Sequence, residues 1–417
     1  MITRTTCRVC KGDLQDAFSL GDHYVSDFPL PAQPDGVKAP LELMLCRTCS
    51  LLQLRHTVPA DTMYRNYWYR SGTNSTMREA LGDIALAAER LMHLGRGDAV
   101  LDIGCNDGTL LGAYRTPELF KIGFDPAENL APLSRAVANR IFTGFFKSSD
   151  YMEDRALRAI RPKVVTSIAM FYDLEDPGQF AADVQAVMDE DGLWIVQMSY
   201  LPMMLANNDV GNICHEHLEY YSLRSFEHLL GMHEMEIVDV EINDVNGGSF
   251  RLYVRNRKAK PELFGDGTYR SIAADRIERF RKEEVHWRLD EPDTYREFSQ
   301  WVDRIKSDVA GFIGGQVKMG KRVFVYGAST KGNTILQYFG LDRSLITAAV
   351  ERNPDKCGRE TVGTRIPIVA ENDARAARPH YLLVLPWHFL REFMEREKQY
   401  LLGGGRFIVP MPHFSLI

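Results

Sequence analysis

The amino-acid sequence predicts an α/β protein in which a small N-terminal cysteine module precedes two doubly wound parallel sheets, the second of them Rossmann-like. Two observations lead to this prediction. Short apolar runs of strand length alternate with helical patterns from about residue 75 to 255, and the alternation returns after Lys321. Two C-x-x-C pairs lie within the first 50 residues, in a stretch with several prolines and no long helical pattern. The predicted domains are residues 1–70, 71–255 and 321–417, with a helical connector at 256–320.

The overall composition is that of a soluble globular protein. Of 417 residues, 45% are apolar and 25% are charged, which excludes a disordered, collagenous or coiled-coil chain. The formal net charge of −6 disfavours general binding to nucleic acid. The first 20 residues lack the apolar core of a signal peptide, and no run of about 18 apolar residues predicts a membrane span. We expect a cytoplasmic monomer or weak homo-oligomer with neither a membrane nor a nucleic-acid partner.

Four of the seven cysteines form the two pairs of the N-terminal module. Each C-x-x-C pair places two thiolates on one tight turn, and four thiolates complete a closed structural zinc site. A loop-rich module below about 70 residues usually needs such a staple. The alternative is two unrelated redox or core pairs. The predicted zinc ligands are Cys7, Cys10, Cys46 and Cys49.

The first parallel sheet begins with a strand, a glycine turn and a helix that carry the pattern D-x-G-x-x-x-G at residues 102–108. This is the first motif of S-adenosylmethionine (SAM) methyltransferases, in which the glycines let the backbone approach the cofactor closely. About 20 residues later, an acidic residue follows the second strand, where it would hydrogen-bond the ribose hydroxyls. A strand–turn–helix without a ligand is the alternative. The predicted cofactor residues are Asp102, Gly104, Asn106, Gly108 and Asp125.

The densest polar cluster is the run His215-Glu216-His217. Histidine titrates near neutral pH and is the commonest general base, so we predict all three residues as catalytic. The run lacks the H-E-x-x-H spacing that places two histidines on one helical face. In a strand, the two histidines would share a face, so a metal site is a weaker alternative, as is a purely structural role.

The connector between the two parallel sheets has a helical pattern. Residues 270–320 are highly charged, and apolar side chains at helical spacing predict a buried stripe. The stripe would consist of Trp287, Phe298, Trp301, Ile305 and Val309. We expect this segment to pack on its neighbours as a connector.

The second parallel sheet opens with a glycine-rich loop, residues 327–333, between a strand and a helix. Backbone N–H groups at the start of that helix would bind an anion, and Lys331 adds a positive charge. The loop lacks the adjacent G-K-[ST] of a Walker A motif, and its G-x-x-x-x-G spacing gives weak support to a bound NAD. A Rossmann unit that acts only as a scaffold is the other alternative.

With these motifs in this order, the sequence resembles the sugar C-methyltransferases that act on nucleotide-linked 4-keto deoxysugars in antibiotic and surface-glycan pathways. The resemblance covers nearly the whole chain. It includes the four cysteines, the SAM motif and the H-E-H run. Further matching segments are residues 246–251, 326–333, 353–356 and 385–387.

The resemblance implies methyl transfer from SAM to C3 of the sugar. The ketone at C4 acidifies the C3 proton, a histidine base removes that proton, and the carbanion carbon attacks the methyl group. In this family the last histidine of the run is the base, which falls on His217, while Glu216 would orient it or contact the sugar. The nucleotide diphosphate would bind at the loop 327–333. An O- or N-methyltransferase acting on a nucleotide-activated or phosphorylated small molecule is the alternative.

The residues expected to bind the nucleotide-sugar are Tyr67, Tyr69, Tyr172, Cys214, Asn246, Arg251, Lys331, Asn333 and Glu351. The two tyrosines near residue 68 could equally pack between domains. Many members of the family carry a tyrosine where this chain has Cys214. Many also carry a histidine in the loop 169–173, where Tyr172 would substitute for it. These departures leave open which sugar is the substrate and which of its atoms is methylated.

Overall fold

A computed structural model describes residues 1–65 and 67–417, and its strands fall into two small sheets and two large ones. The strands are β1 (Ile2–Thr3), β2 (Leu14–Tyr24), β3 (Lys38–Cys46), β4 (Leu52–Leu54), β5 (His56–Thr57), β6 (Ala99–Ile103), β7 (Phe120–Asp125), β8 (Arg140–Thr143), β9 (Val164–Ile168), β10 (Leu193–Ser199), β11 (Glu219–Tyr220), β12 (Met235–Asn243), β13 (Ser249–Asn256), β14 (Val323–Tyr326), β15 (Ala348–Glu351), β16 (Ile368–Ala370), β17 (Tyr381–Val384), β18 (Arg406–Val409) and β19 (Ser415–Leu416).

Helices cover the large sheets and connect their strands. They are α1 (Ala60–Tyr64), α2 (Ser75–Met92), α3 (Thr109–Ala113), α4 (Ala131–Ser134), α5 (Ser148–Glu153), α6 (Pro177–Val187), α7 (Leu201–Ala206), α8 (Leu223–Gly231), α9 (Gly267–His286), α10 (Pro292–Lys318), α11 (Thr330–Phe339), α12 (Glu371–Ala377), α13 (Leu390–Arg396) and α14 (Lys398–Leu402). Within the described ranges, none of these helices is both long and apolar enough to cross a membrane.

The N-terminal module is built on an antiparallel sheet with the strand order β11-β4-β3-β2. The edge strand β11 comes from the middle of the chain, directly after the H-E-H run. It pairs with β4 so that Glu219 lies opposite Gln53 and Tyr220 lies opposite Leu52. A segment from the region of the first parallel sheet therefore completes the sheet of the cysteine module.

The first large sheet has the order β12-β13-β10-β9-β6-β7-β8. Strands β6 to β10 run parallel, whereas β13 is antiparallel to both of its neighbours. Central strands such as β6 and β10 are buried along their whole length, as expected for strands covered by helices on both faces. Along the chain, this sheet starts with β6, continues with β7 and β8 on one side of β6, and then crosses to β9 on the other side. Ligands in such sheets bind at this switch point, outside the carboxyl ends of the strands.

The second large sheet has the order β16-β15-β14-β17-β18-β19 and is parallel except at β19. It also begins with a central strand, β14, and crosses over to β17, so its switch point lies between these two strands. The order confirms the predicted Rossmann-like arrangement. The glycine-rich loop after β14 leads into α11, whose first turn is capped by Ser329.

The connector forms the two helices α9 and α10, and the predicted stripe is only partly buried. Phe298, Ile305 and Val309 are buried, because they lie within about 40° of one another around the axis of α10. Trp301 lies farther round the helix and is 54% exposed, and the guanidinium of Arg304 covers its ring. Trp287 follows the end of α9 and is also exposed.

A buried carboxylate joins the connector to the first large sheet. Glu284 on α9 accepts hydrogen bonds from the hydroxyl of Tyr200 and from the backbone N–H groups of Leu223 and Arg224. These two N–H groups belong to the first turn of α8, where no helical partner exists for them. Glu284 therefore caps α8 from another helix.

Replacing Glu284 with alanine should lower the free energy of unfolding by about 2–4 kcal/mol, because three buried donors lose their acceptor. Chemical denaturation of the two proteins measures this loss. The matched control is Glu283→Ala, since Glu283 is exposed on the same helix. Equal stability of the Glu284 and Glu283 variants would contradict the capping role.

Candidate active site and zinc centre

A cavity of about 610 Å³ lies where the switch points of the two large sheets face each other. Its volume is in the range of small-molecule sites. One wall consists of the loops after β6, β7 and β9, and the opposite wall consists of the loops after β14 and β17. Ile2 of the N-terminal module and side chains from residues 57–64 and 67–71 close a third side. The cavity therefore combines all three predicted domains.

The methyl-donor motif forms one end of this cavity. Gly104 has φ +76°, and a side chain there would collide with Met170, so the turn requires glycine. The Asp125 carboxylate accepts hydrogen bonds from the backbone N–H groups of Asn106 (2.7 Å) and Ala127 (2.8 Å), which fix its orientation. Both Asn106 and Asp125 line the cavity, as predicted for residues that contact the cofactor.

Asp102 lies beneath the same turn. Its carboxylate accepts a hydrogen bond of 2.6 Å from the hydroxyl of Thr166, and burial raises its pKa to about 7. Gly108 does not line the cavity. Its φ is +81°, and a Cβ atom would lie 2.9 Å from the backbone of Ser134, so this glycine shapes the turn instead of contacting a ligand.

Of the two histidines in the H-E-H run, His217 is the one that reaches the cavity. Its Nδ1 lies 2.8 Å from the backbone carbonyl of Asn212, so Nδ1 carries the proton and Nε2 has a free lone pair. The ring packs against that of Tyr172, with centroids 4.3 Å apart. Burial, with the nearby Lys331 ammonium, lowers the pKa of His217 to about 3, and the imidazole is therefore neutral around pH 7.

Glu216 also lines the cavity, and its environment favours the protonated acid. Burial raises its pKa to about 7. The Cys214 thiol lies 3.9 Å from the Glu216 carboxyl group, behind the cavity surface. Cys214, Glu216 and His217 each bring a potential metal ligand atom within 4.8 Å of the other two.

His215 does not reach the cavity. Its Nε2 donates to the backbone carbonyl of Ala39, 2.9 Å away in the N-terminal module. Residues 214–216 form a turn, so the two histidines do not share the face that a strand would give them. This geometry places His215 in the interface between the run and the N-terminal module.

Tyrosines of the segment after the N-terminal module line the third side of the cavity. Tyr67 and Tyr69 were expected there, and both are present. Tyr64 was not predicted, although its hydroxyl donates to the backbone carbonyl of Glu216 at 3.3 Å. Its ring packs against that of Tyr67, with centroids 5.7 Å apart. The sequence signal for Tyr64 was its position three residues before Tyr67, which was predicted to contact the substrate.

The second large sheet contributes Lys331 to the cavity wall. Asn246, from the turn between β12 and β13 of the first large sheet, lies opposite Lys331. The Lys331 Nζ lies 3.5 Å from the Asn246 carbonyl oxygen, and both residues line the cavity. Trp387 and His388, which follow β17, also line it and were not predicted as site residues. Among the described residues, the Nδ1 of His388 is buried without a hydrogen-bond partner. The indole of Trp387 lies beside the carboxyl group of Asp209.

Asp173 and Asp209 are two further carboxyl groups in the cavity wall that sequence reasoning missed. One buried oxygen of Asp173 has no hydrogen-bond partner, and burial beside Glu216 raises the pKa of this residue well above its usual value. Asp173 lies beyond the carboxyl end of β9, and Asp125 is the last residue of β7, so the position of Asp173 at the same edge of the sheet was the available signal.

Three predicted substrate residues point elsewhere. Arg251 is buried beneath the sheet, where it donates to Asp83 (2.8 Å) and Gln197 (2.9 Å). Asn333 donates to Ser26 of the N-terminal module at 2.8 Å. Glu351 lies 3.5 Å from the buried ammonium of Lys356, and it also accepts backbone hydrogen bonds from the residues that follow it. None of the three lines the cavity, because each already bonds to protein groups.

The four predicted zinc ligands meet in the N-terminal module. The sulfur atoms of Cys7 and Cys49 are 3.6 Å apart, and those of Cys10 and Cys46 are 3.3 Å apart. A zinc ion with four sulfurs at 2.3 Å would separate them by roughly 3.8 Å, so the cluster fits zinc after a small relaxation. All four sulfurs lie within 4.8 Å of one another. The site is closed, and its zinc stabilises the module without access to substrate.

The strand order, the glycine turn and the fixed Asp125 carboxylate together define a SAM-dependent methyltransferase, here with an added zinc-binding domain. Sequence profiles agree. A putative zinc-binding domain matches residues 7–64, a methyltransferase domain matches residues 74–240, and a C-methyltransferase C-terminal domain matches residues 244–412. The chain is 33% identical to the C-methyltransferase NovU of Streptomyces niveus over 418 residues, which cover 99% of this chain and 96% of NovU. The chain therefore belongs to this family of SAM-dependent C-methyltransferases.

Solved structures match a smaller part of the chain. The plantazolicin methyltransferase BpumL in complex with SAH is 12% identical, with a TM-score of 0.34 over 43% of this chain and 83% of that protein. The N-methyltransferase NodS of Bradyrhizobium japonicum is 14% identical, with a TM-score of 0.33 over 44% of this chain and 98% of that protein.

Replacing Cys49 with serine should remove most of the bound zinc, because the closed site loses one of its four thiolates. The expected result is about one zinc ion per chain in the unmodified protein and much less in the variant, with a lower melting temperature. Metal analysis after dialysis against a weak chelator measures this. Cys357→Ser is the matched control, because Cys357 lies outside the cluster. Full zinc content in the Cys49 variant would contradict the assignment.

Replacing Asp125 with alanine should weaken SAM binding by about 10–100-fold, because one charged hydrogen-bond acceptor is lost and the turn at Asn106 is released. Titration calorimetry gives the affinity. Asp150→Ala is the control, since Asp150 is exposed on α5 and away from the cavity. An unchanged affinity would remove Asp125 from the cofactor site.

Proposed function

We propose that this enzyme methylates a carbon of a nucleotide-linked 4-keto deoxysugar, at C3 beside the ketone, with His217 as the base. The observation that carries the proposal is the free Nε2 lone pair of a neutral, buried histidine in the same cavity as the methyl-donor motif. Carbon methylation needs such a base, because a C–H bond must be ionised before the carbon can attack. A hydroxyl oxygen can lose its proton later and needs the base less.

His217 suits this role because its hydrogen bond favours the tautomer with the proton on Nδ1. The Asn212 carbonyl holds the proton on Nδ1, and Tyr172 fixes the ring, so Nε2 is presented as an acceptor. SAM supplies the electrophilic methyl group. The neutral form of Glu216, favoured by its raised pKa, would donate a hydrogen bond to the ketone oxygen as negative charge develops there.

The wall formed by the second large sheet suits the nucleotide diphosphate. The ammonium of Lys331 and the start of α11 offer positive charge there, and the indole N–H of Trp387 lies on the same wall. Asp173 and Asp209, whose pKa values are raised by burial, would accept hydrogen bonds from sugar hydroxyls. This arrangement supports a ligand that carries both an anionic group and several hydroxyl groups.

The experiment that tests the proposal is incubation of the enzyme with methyl-labelled SAM and 4-keto-6-deoxy sugars linked to dTDP, GDP or CDP. NMR of the product locates the new methyl group. Methylation at C3 is the expected result. The other carbon beside the ketone, C5, is equally acidified, so methylation there would keep the mechanism and correct the position. A methyl group on oxygen or nitrogen, or no transfer to any of these sugars, would overturn the proposal.

Replacing His217 with asparagine should reduce kcat by about 10²–10⁴-fold, because proton abstraction loses its base. SAM affinity should stay within a few-fold of the starting value, since the motif at residues 102–108 is unchanged. His215→Asn is the matched comparison, because this histidine faces Ala39 and should affect stability more than rate. Similar kcat values for the two variants would exclude His217 as the base.

A further inference from the structure

The segment that carries His217 is bonded directly to the zinc-binding module. The backbone N–H of Leu54 on β4 donates to the carbonyl of Leu218 at 2.8 Å, and β11 then continues the pairing with Gln53 opposite Glu219. The residue after the proposed base is therefore held by the sheet of the module. The zinc centre contacts the same strand through the side chain of Gln53.

Gln53 connects this strand to a zinc ligand. Its side-chain Nε2 lies 3.2 Å from the sulfur of Cys7 and donates to it. Its Oε1 accepts from the backbone N–H of Arg8 at 3.0 Å and from the Arg8 guanidinium at 3.3 Å. Gln53 is fully buried, so both ends of its amide are used inside the protein. An N–H donor to a zinc-bound thiolate orients that ligand and shares its charge.

Arg8 extends the connection to the cavity wall. This arginine lies between the first two cysteines and is fully buried. Its guanidinium donates to Thr57 Oγ1 at 2.8 Å, and the Thr57 hydroxyl donates to the carboxylate of Glu175 at 2.6 Å. Thr57 and Glu175 both line the cavity. Arginine keeps its charge at all relevant pH values, so this contact is a fixed one.

The opposite side of His217 is held by the loop after β9. The backbone N–H of Leu218 donates to the carbonyl of Tyr172 at 2.8 Å, and the Tyr172 ring packs on His217. The base segment is thus fixed on one side by the methyltransferase sheet and on the other by β4. Loss of the second support would leave residues 217–220 attached at one edge only.

We propose that Gln53 is a positioning residue through which the zinc centre holds the His217 segment in place for catalysis. Bound zinc would fix the position of the Cys7 sulfur. The hydrogen bond from Gln53 to that sulfur would then hold β4 in place, and β4 would hold β11 through their pairing. Zinc acts in this scheme as a determinant of the rate as well as a staple of a small module. The inference rests on the proposed role of His217, but its structural part can be measured without any substrate.

The first test compares Gln53→Leu with Gln337→Leu. Gln337 is a matched control, because its side-chain amide also bridges two domains, accepting from the Tyr24 N–H at 2.8 Å and donating to the Tyr24 carbonyl at 3.2 Å. It lies far along the chain from β4 and β11. The Gln53 variant should keep its zinc and lose about 10–100-fold in kcat, with KM and SAM affinity within about threefold of the starting values. The Gln337 variant should keep its kcat.

The second test measures backbone hydrogen exchange with and without zinc. Zinc removal should expose residues 52–54 and 217–220 together, whereas the central strand β6 stays protected. The Gln53 variant should show faster exchange at residues 217–220 even with zinc bound, and the Gln337 variant should not.

Three results would overturn the inference. One is a kcat of zinc-loaded Gln53→Leu within twofold of the starting enzyme. Another is an equal loss of kcat in the Gln337 variant, which would show a general effect of lost domain bridges. The third is unchanged exchange at residues 217–220 after zinc removal. If zinc removal does speed exchange at residues 217–220 but His217→Asn keeps its activity, the assignment of His217 as the base is wrong. The proposed link between the zinc centre and residues 217–220 would then still stand.

Discussion

The carboxyl ends of the parallel strands determine where this protein performs its chemistry. All strands of a parallel sheet end at one edge, so the loops after β6 and β9 meet there, as do those after β14 and β17. In this chain the two edges face each other across the cavity. The N-terminal module closes the third side by taking β11 into its own sheet. Strand order thus places the methyl-donor motif, the histidine and the lysine around one volume.

Burial then sets the charge of that volume. It lowers the pKa of His217 and raises those of Asp102, Asp173 and Glu216, so it favours the neutral form of base and acid alike. Lys331 lies among these groups, and the side chains of Asp125 and Glu175 line the same cavity. The cavity therefore combines a lysine with several buried groups that can donate or accept hydrogen bonds.

Local patterns predicted most of the fold and the cofactor end of the site. The zinc ligands, the glycine turn and Asp125 depend on short spacings. The structure brings the four cysteines into one cluster and places Gly104 and Asp125 on the wall of the cavity. Residues that depend on orientation were harder to predict. His215 was predicted as catalytic together with His217 because both are histidines of one run, but the run is a turn and the two side chains diverge.

Arg251 illustrates a second limit of the sequence. Its place in a segment that resembles the family suggested a substrate contact, but its guanidinium donates to Asp83 and Gln197, which are distant in the chain. Trp387 shows the converse, because the folded chain brings it to the cavity. Pairings between distant residues decide both cases, and the pattern within a single segment does not reveal them.

The segment of tyrosines between the zinc-binding module and α2 has a consequence for how such enzymes can diversify. Tyr64, Tyr67 and Tyr69 are at once the link between two domains and a wall of the cavity. A recombination event that exchanges one domain between relatives would replace one wall of the cavity. The other two walls would still fit the earlier ligand. New substrate preferences in this architecture should therefore arise by point changes spread over the three walls, with the whole chain inherited as one unit.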